Sequence, residues 1–171
     1  MRSLIFRVIL SIFSSLQIIG CAVFDSTPPP PTTMDPKEQV YMATFDAVWL
    51  ATQKALAAYP MRVNNMDLKI LETDYIKSNQ YWNPPHMPKL GSGDKYKLVV
   101  KIMEGELDGR NAQKVSVTKE VYRQKDFFAP KNRIPSSSFE EKALLYRIER
   151  ELLIEKALEK AQKKLNSRSS F

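Results

Sequence analysis

Apolar side chains return every three or four positions between residues 44 and 59: Phe45, Val48, Trp49 and Leu56, with Ala55 alongside and Thr52 as the one polar member. That spacing collects them on one face of a helix. Thr44 supplies an N-capping hydroxyl and Pro60 a stop, so a helix is predicted from about Thr44 to Tyr59. Thr52 fits the stripe because its hydroxyl can bond a carbonyl one turn earlier. The stripe reads as a core face.

Beyond Pro60 the period drops to two. Short extended segments are expected over Met61 to Val63 and about Leu68 to Ile76, with Asn64-Asn65-Met66-Asp67 as the turn between them. Two clearer strands follow. In the first, Tyr96, Leu98, Val100 and Ile102 alternate with Lys97 and Lys101, although Val99 and Met103 share the polar side. In the second, Val115, Val117 and Val121 share a face that Lys119 interrupts. Between them, Leu107-Asp108-Gly109-Arg110 carries the Asp-Gly pair favoured in two-residue hairpin turns. Ser138 followed three residues later by Glu141 fits a capping box, and no Gly or Pro occurs from Phe139 to Leu165. A long closing helix is predicted there. Leu144, Leu145, Ile148 and Leu152 form its first apolar stripe, expected to cover the sheet; Ile154, Ala157, Leu158, Ala161 and Leu165 form a second, displaced around the axis, left to project outward or to cover the first helix. The order implies an α+β domain over residues 37–171, an antiparallel sheet with an N-terminal helix and a long C-terminal helix packed on one face.

The first 36 residues do not belong to that pattern. Arg2 and Arg7 precede a mainly apolar stretch from Val8 to Ile19, shorter than the roughly 20 residues that span a bilayer as a helix. Residues 1–20 therefore read as an export signal. Ile18-Ile19-Gly20-Cys21 resembles the lipobox of bacterial lipoproteins, which implies cleavage before Cys21 and its acylation through a thioether. The alternative is a buried structural cysteine in a short N-terminal helix. In enterobacterial lipoproteins an aspartate after the cysteine favours the inner membrane; Ala22 stands here, and the resemblance implies the outer membrane, facing the periplasm. Residues 21–36, with Pro28 to Pro31 and Pro36, read as a semi-rigid tether.

Asp46-Ala47-Val48-Trp49 through Ala55-Leu56, then Met61-Arg62-Val63, Asp67 and Ile70 to Tyr75, resemble domains of BamC-type lipoproteins. That resemblance implies a helix-grip arrangement and a part in assembling outer-membrane β-barrels. Leu68-Lys69 stands where the family often has a glycine, and the length leaves room for one such domain instead of two.

Composition narrows the chemistry. Of 171 residues, 26 are Lys or Arg and 19 are Asp or Glu, a net charge of +7 that falls to +5 without Arg2 and Arg7. The excess is moderate and spread out, so nucleic acid is not indicated. One cysteine, Cys21, and one histidine, His86, exclude an internal disulfide and a zinc framework, and no cofactor is implied. Gly-x-Ser-x-Gly, phosphate-loop and His-Glu-x-x-His patterns are absent from the sequence. Two functional classes remain. A non-catalytic module binding an envelope protein would use the long segment between Lys77 and Lys95, where Tyr81, Trp82 and His86 stand among prolines. Tyr81 and Trp82 folded back over the core would serve equally well. An envelope hydrolase or glycan-processing enzyme would instead bring Glu72, Asp74 and His86 together in a cleft, although solvated strand carboxylates and a loop histidine account for them too. Asp126-Phe127-Phe128-Ala129-Pro130 poses the same choice between contact and packing.

The anchor is directly testable. Cys21→Ser should abolish lipidation and processing, leaving an unshifted precursor that no longer incorporates labelled fatty acid. Unchanged cleavage and unchanged partition with membranes would reject the lipoprotein reading.

Overall fold

The computed structural model describes residues 34–77, 80–81, 91, 93–124, 128 and 130–169. They form β1 (Lys37–Tyr41), α1 (Phe45–Ala55), β2 (Met61–Asn65), β3 (Ile70–Thr73), β4 (Ile76–Lys77), β5 (Lys95–Leu107), β6 (Arg110–Arg123), β7 (Asn132–Ile134) and α2 (Phe139–Ser169). The strands make one antiparallel sheet in the order β1-β6-β5-β3-β2, with β4 beside the start of β5 and β7 beside the end of β6. The fold is thus α+β, as the periodicity implied.

The β5–β6 hairpin is the spine of the sheet. Asp108 and Gly109 both have positive φ, 52° and 69°, which is what a tight turn matched to the right-handed strand twist requires. Closing at Leu107 and Arg110, it sets Tyr96 opposite Val121, Val100 opposite Val117 and Ile102 opposite Val115. All six side chains therefore point to one face, where they are buried with Leu71 of β3 and Tyr41 of β1. The two helices complete this core with Val48, Trp49, Ala51 and Leu56 of α1 or its end, and Leu144, Leu145 and Ile148 of α2. Thr52 is buried and donates to the Val48 carbonyl at 2.7 Å, so its hydroxyl costs the core nothing.

Several boundaries move for local reasons. The first helix ends at Ala55, because 3₁₀-like bonds from Ala57 to Lys54 and from Tyr59 to Leu56 tighten the chain and turn Tyr59 into the core. Asn64 and Asn65 pair with Leu71 and Ile70 inside the hairpin, so the turn shifts to 66–69, with Lys69 at φ 56° and the Leu68 amide donating to Asn65 Oδ1 at 2.8 Å. The expected Leu68 to Ile76 strand is split: the Asp74 amide leaves the ladder to donate to the Pro60 carbonyl at 2.8 Å. Strands β1 and β7 have too few alternating residues to have been legible in sequence. The capping box is corrected as well. Ser138 takes φ 62°, its hydroxyl is buried without a hydrogen-bond partner among the described residues, and Ser136 Oγ accepts from the Ser138 amide at 3.0 Å instead.

The two stripes of α2 have different fates. Leu144, Leu145 and Ile148 are buried and Leu152 packs against the core, whereas Ile154, Leu158 and Leu165 are exposed. Its second half leaves the sheet behind, held to the end of α1 by the Lys54–Glu155 ion pair.

Trp49 is 6% exposed and stacks on Phe45 with ring centroids 5.8 Å apart. Trp49→Ala should cost about 3–5 kcal/mol in urea unfolding, the usual loss for a buried large aromatic. A change within about 0.5 kcal/mol, the range of surface substitutions, would misplace this core face.

Candidate functional site

Lys119, the residue that breaks the apolar face of β6, is answered by the first turn of α2. Its ammonium lies 2.6 Å from Glu140 Oε2, with side-chain exposures of 8% and 1%. Hydroxyls of Tyr59 and Tyr96 donate to Glu140 Oε1 at 2.9 and 3.0 Å, and the Lys119 ammonium also sits 4.0 Å from the centroid of the Tyr96 ring. Each charge is thereby surrounded by compensating groups, which is what burial of an ion pair demands. Burial pushes both tyrosine hydroxyls above the ordinary phenol range, and the nearby Glu140 carboxylate adds to the effect. Glu141 is buried beside this cluster. Desolvation raises its pKa above the usual carboxylate range, against the opposing pull of its Ser136 hydrogen bond and of Lys119, and its Oε2 has no hydrogen-bond partner among the described residues.

Of the residues singled out in sequence, Glu72, Asp74 and Tyr81 are described, and each has its own surroundings. Glu72 lies 2.9 Å from the Lys97 ammonium and 4.0 Å from Arg62 on the sheet face away from the helices. Asp74 follows the end of β3, exposed, and accepts from the Tyr75 amide at 2.7 Å. Tyr81 is half-exposed and rests on Tyr59 with ring centroids 5.7 Å apart, at the rim of the buried cluster. Its ring both packs on the domain and remains available outside. Trp82, His86 and Cys21 lie outside the described residues. Where the chain re-enters the sheet, Asp94 receives a two-pronged Arg123 guanidinium at 2.9 and 2.7 Å and the Gly91 amide at 3.0 Å; the Arg123 hydrogen bond holds its carboxyl below the usual range.

A second feature was not anticipated. The exposed edge of β1, the β1–α1 link and the middle of α2 enclose an open cleft of about 500 Å³. Val40, Met42, Ala43 and Ala47 line one side; Glu149, Leu152, Leu153, Lys156 and Glu159 line the other. The α2 residues 149, 152, 153 and 156 share one helical face. Tyr41 fixes the geometry by donating to the Leu145 carbonyl at 2.7 Å, and Gln39 Nε2 donates to Glu149 at 3.2 Å. Val40, Met42 and Leu153 are exposed, and among the described residues β1 pairs with β6 alone. Of the two apolar stripes of α2 only Leu152, the end of the first, lines this wall. The other wall depended on β1, which was hidden next to the tether.

Among the described residues no group of three or more His, Cys, Asp or Glu is placed to hold a metal ion, and no helix is long and apolar enough to cross a membrane. The arrangement offers burial and backbone pairing to a macromolecular partner.

The titration of Glu141 gives a test of the cluster. Its folded-state pKa exceeds the unfolded one, so the native state holds the proton more tightly and stability must fall as pH rises through the window above the ordinary carboxylate value of 4.5. Glu141→Gln removes that dependence: its melting temperature should gain on the parent as pH climbs above that value and then level off. A difference that stays constant from pH 4 to pH 8 would place Glu141 in contact with water.

No family model and no curated protein matches this chain.

Proposed function

We propose that the protein is a lipid-anchored envelope lipoprotein acting as a non-catalytic protein-binding accessory module, held to the outer membrane through Cys21 and facing the periplasm. The cleft between β1 and α2 carries this reading. A sheet edge that no further strand covers among the described residues meets there the exposed apolar side chains of Met42 and Leu153. Contiguous exposed apolar surface rimmed by charge is what a protein-docking site presents. A service to outer-membrane β-barrel assembly is the share contributed by the resemblance over Asp46 to Tyr75 and the long closing helix. Tyr81, Trp82 and His86 are proposed as further partner-binding residues of the same module.

Site-specific photo-cross-linking in cells tests it. A photoreactive residue at position 153 of the lipidated chain should trap an envelope protein, while the same residue at Asp108, in the β5–β6 hairpin turn and not part of the cleft lining, should not. Leu153 is 56% exposed, so Leu153→Asp should change stability by no more than about 0.5 kcal/mol. With the probe moved to position 40, this substitution should remove the adduct. Adducts indifferent to Leu153→Asp would reject the cleft as the binding surface.

A further inference from the structure

Resting on the protein-binding reading of this cleft, the geometry points to its occupant: we propose an extended peptide segment of a partner protein that joins the sheet beside β1 and turns a face of apolar and basic side chains toward α2. Three observations carry this. First, among the described residues β1 is a sheet edge, so alternate backbone amides and carbonyls over five residues point away from β6. Five strand residues extend about 17 Å. Natural sheets shield such edges with charge or proline. Here Lys37 and Glu38 stand at one end, but exposed Val40 and Met42 stand at the other.

Second, the wall of α2 faces that edge across a cleft of about 500 Å³. A strand paired to β1 would turn every second side chain toward this wall, where Leu152 and Leu153 call for apolar residues.

Third, the charge of the cleft runs against the charge of the molecule. The chain carries +7 overall, yet the cleft is lined by Glu149, Glu155 and Glu159 against Lys156 alone. Glu155 is already paired with Lys54 and Lys156 offsets one further carboxylate, so Glu149 and Glu159 together keep a surplus of one negative charge for a lysine or arginine on the incoming segment. Like charges repel, so the surplus also disfavours acidic segments.

The experiment presents the full chain to a random 12-residue peptide display library. Enriched sequences should carry apolar residues together with Lys or Arg at every second position over about five residues. Synthetic versions methylated at one backbone nitrogen at a time should lose about tenfold in affinity at alternate positions and little at those between, since only every second amide faces β1. The pair Glu149→Lys and Glu159→Lys should weaken the basic peptides by tenfold or more at low salt. Enriched sequences with helical three-and-four spacing, or affinity indifferent to methylation at every position, would overturn strand addition. So would the absence of any enriched peptide; a cross-link trapped at position 153 would in that case leave the adaptor reading intact. Self-association abolished by Leu153→Asp, with no peptide enriched, would assign the cleft to a second copy of the chain and also overturn the proposal.

Discussion

An ammonium group buried on the helix side of β6 must find an anion, and the only direction from which α2 can deliver one is with its first turn over Lys119. Stripping either ion of water costs several kcal/mol, and removing one partner of such a pair destabilises by about 3–5 kcal/mol. The pair therefore does little for net stability but a great deal for placement. With Glu140 pinned between Lys119, Tyr59 and Tyr96, the start of α2 is located against β6, β5 and the end of α1 together. Glu140 also stands in the first turn, where the partial positive charge of a helix favours a carboxylate. Everything downstream inherits that origin: Leu145 meets Tyr41, Glu149 meets Gln39, and the helix walls the cleft beside β1.

The two sheet faces divide the labour. The helix side is dry and joined by one ionic knot. The opposite face is a lattice of half-exposed charges, in which Lys97 lies between Glu72 and Glu120 and Arg133 reaches Glu120 from β7. Such pairs, each partly screened by solvent, contribute little individually. They do explain why carboxylates that look catalytic on a strand have a structural occupation here. The short β7 is stitched to β6 through them as well as through its backbone.

Much of this architecture could be read from periodicity, since both long strands, their hairpin turn and both helices bury a continuous face, and burial is what imposes a period. Lys119 was visible as an interruption, but nothing local says whether such a lysine snorkels to solvent or is met by a carboxylate twenty-one residues later. Glu140 sits next to Glu141 at a helix start, where acids are expected for capping alone, so its distant partner was masked by a nearer explanation. The capping box was misassigned for another reason: Ser138 and Glu141 have the right spacing, but spacing is blind to the left-handed backbone at Ser138, whose hydroxyl finds no hydrogen-bond partner among the described residues. The edge strand β1 was illegible because five residues, half of them polar, do not make a period, and with it went the cleft. The tyrosine at position 81 was legible as an aromatic in a long segment. Its resting place on Tyr59 depends on where the first helix stops, which the sequence pattern overshot by one turn.

The 31 residues of α2 make a rod of about 46 Å. Only its first half is clad by the domain. Past Glu155 the helix is maintained by the intrinsic preference of Ala, Leu, Lys, Glu and Gln for helical geometry, without tertiary burial to reinforce it. Its local opening free energy must therefore decline toward the C-terminus, independently of global unfolding. The cleft lies across the boundary between these two regimes. Whatever fills it adds cladding to the last covered turns, so occupancy and helical order at the free end are thermodynamically linked. A far-off segment with no contact to the ligand thereby becomes its gauge.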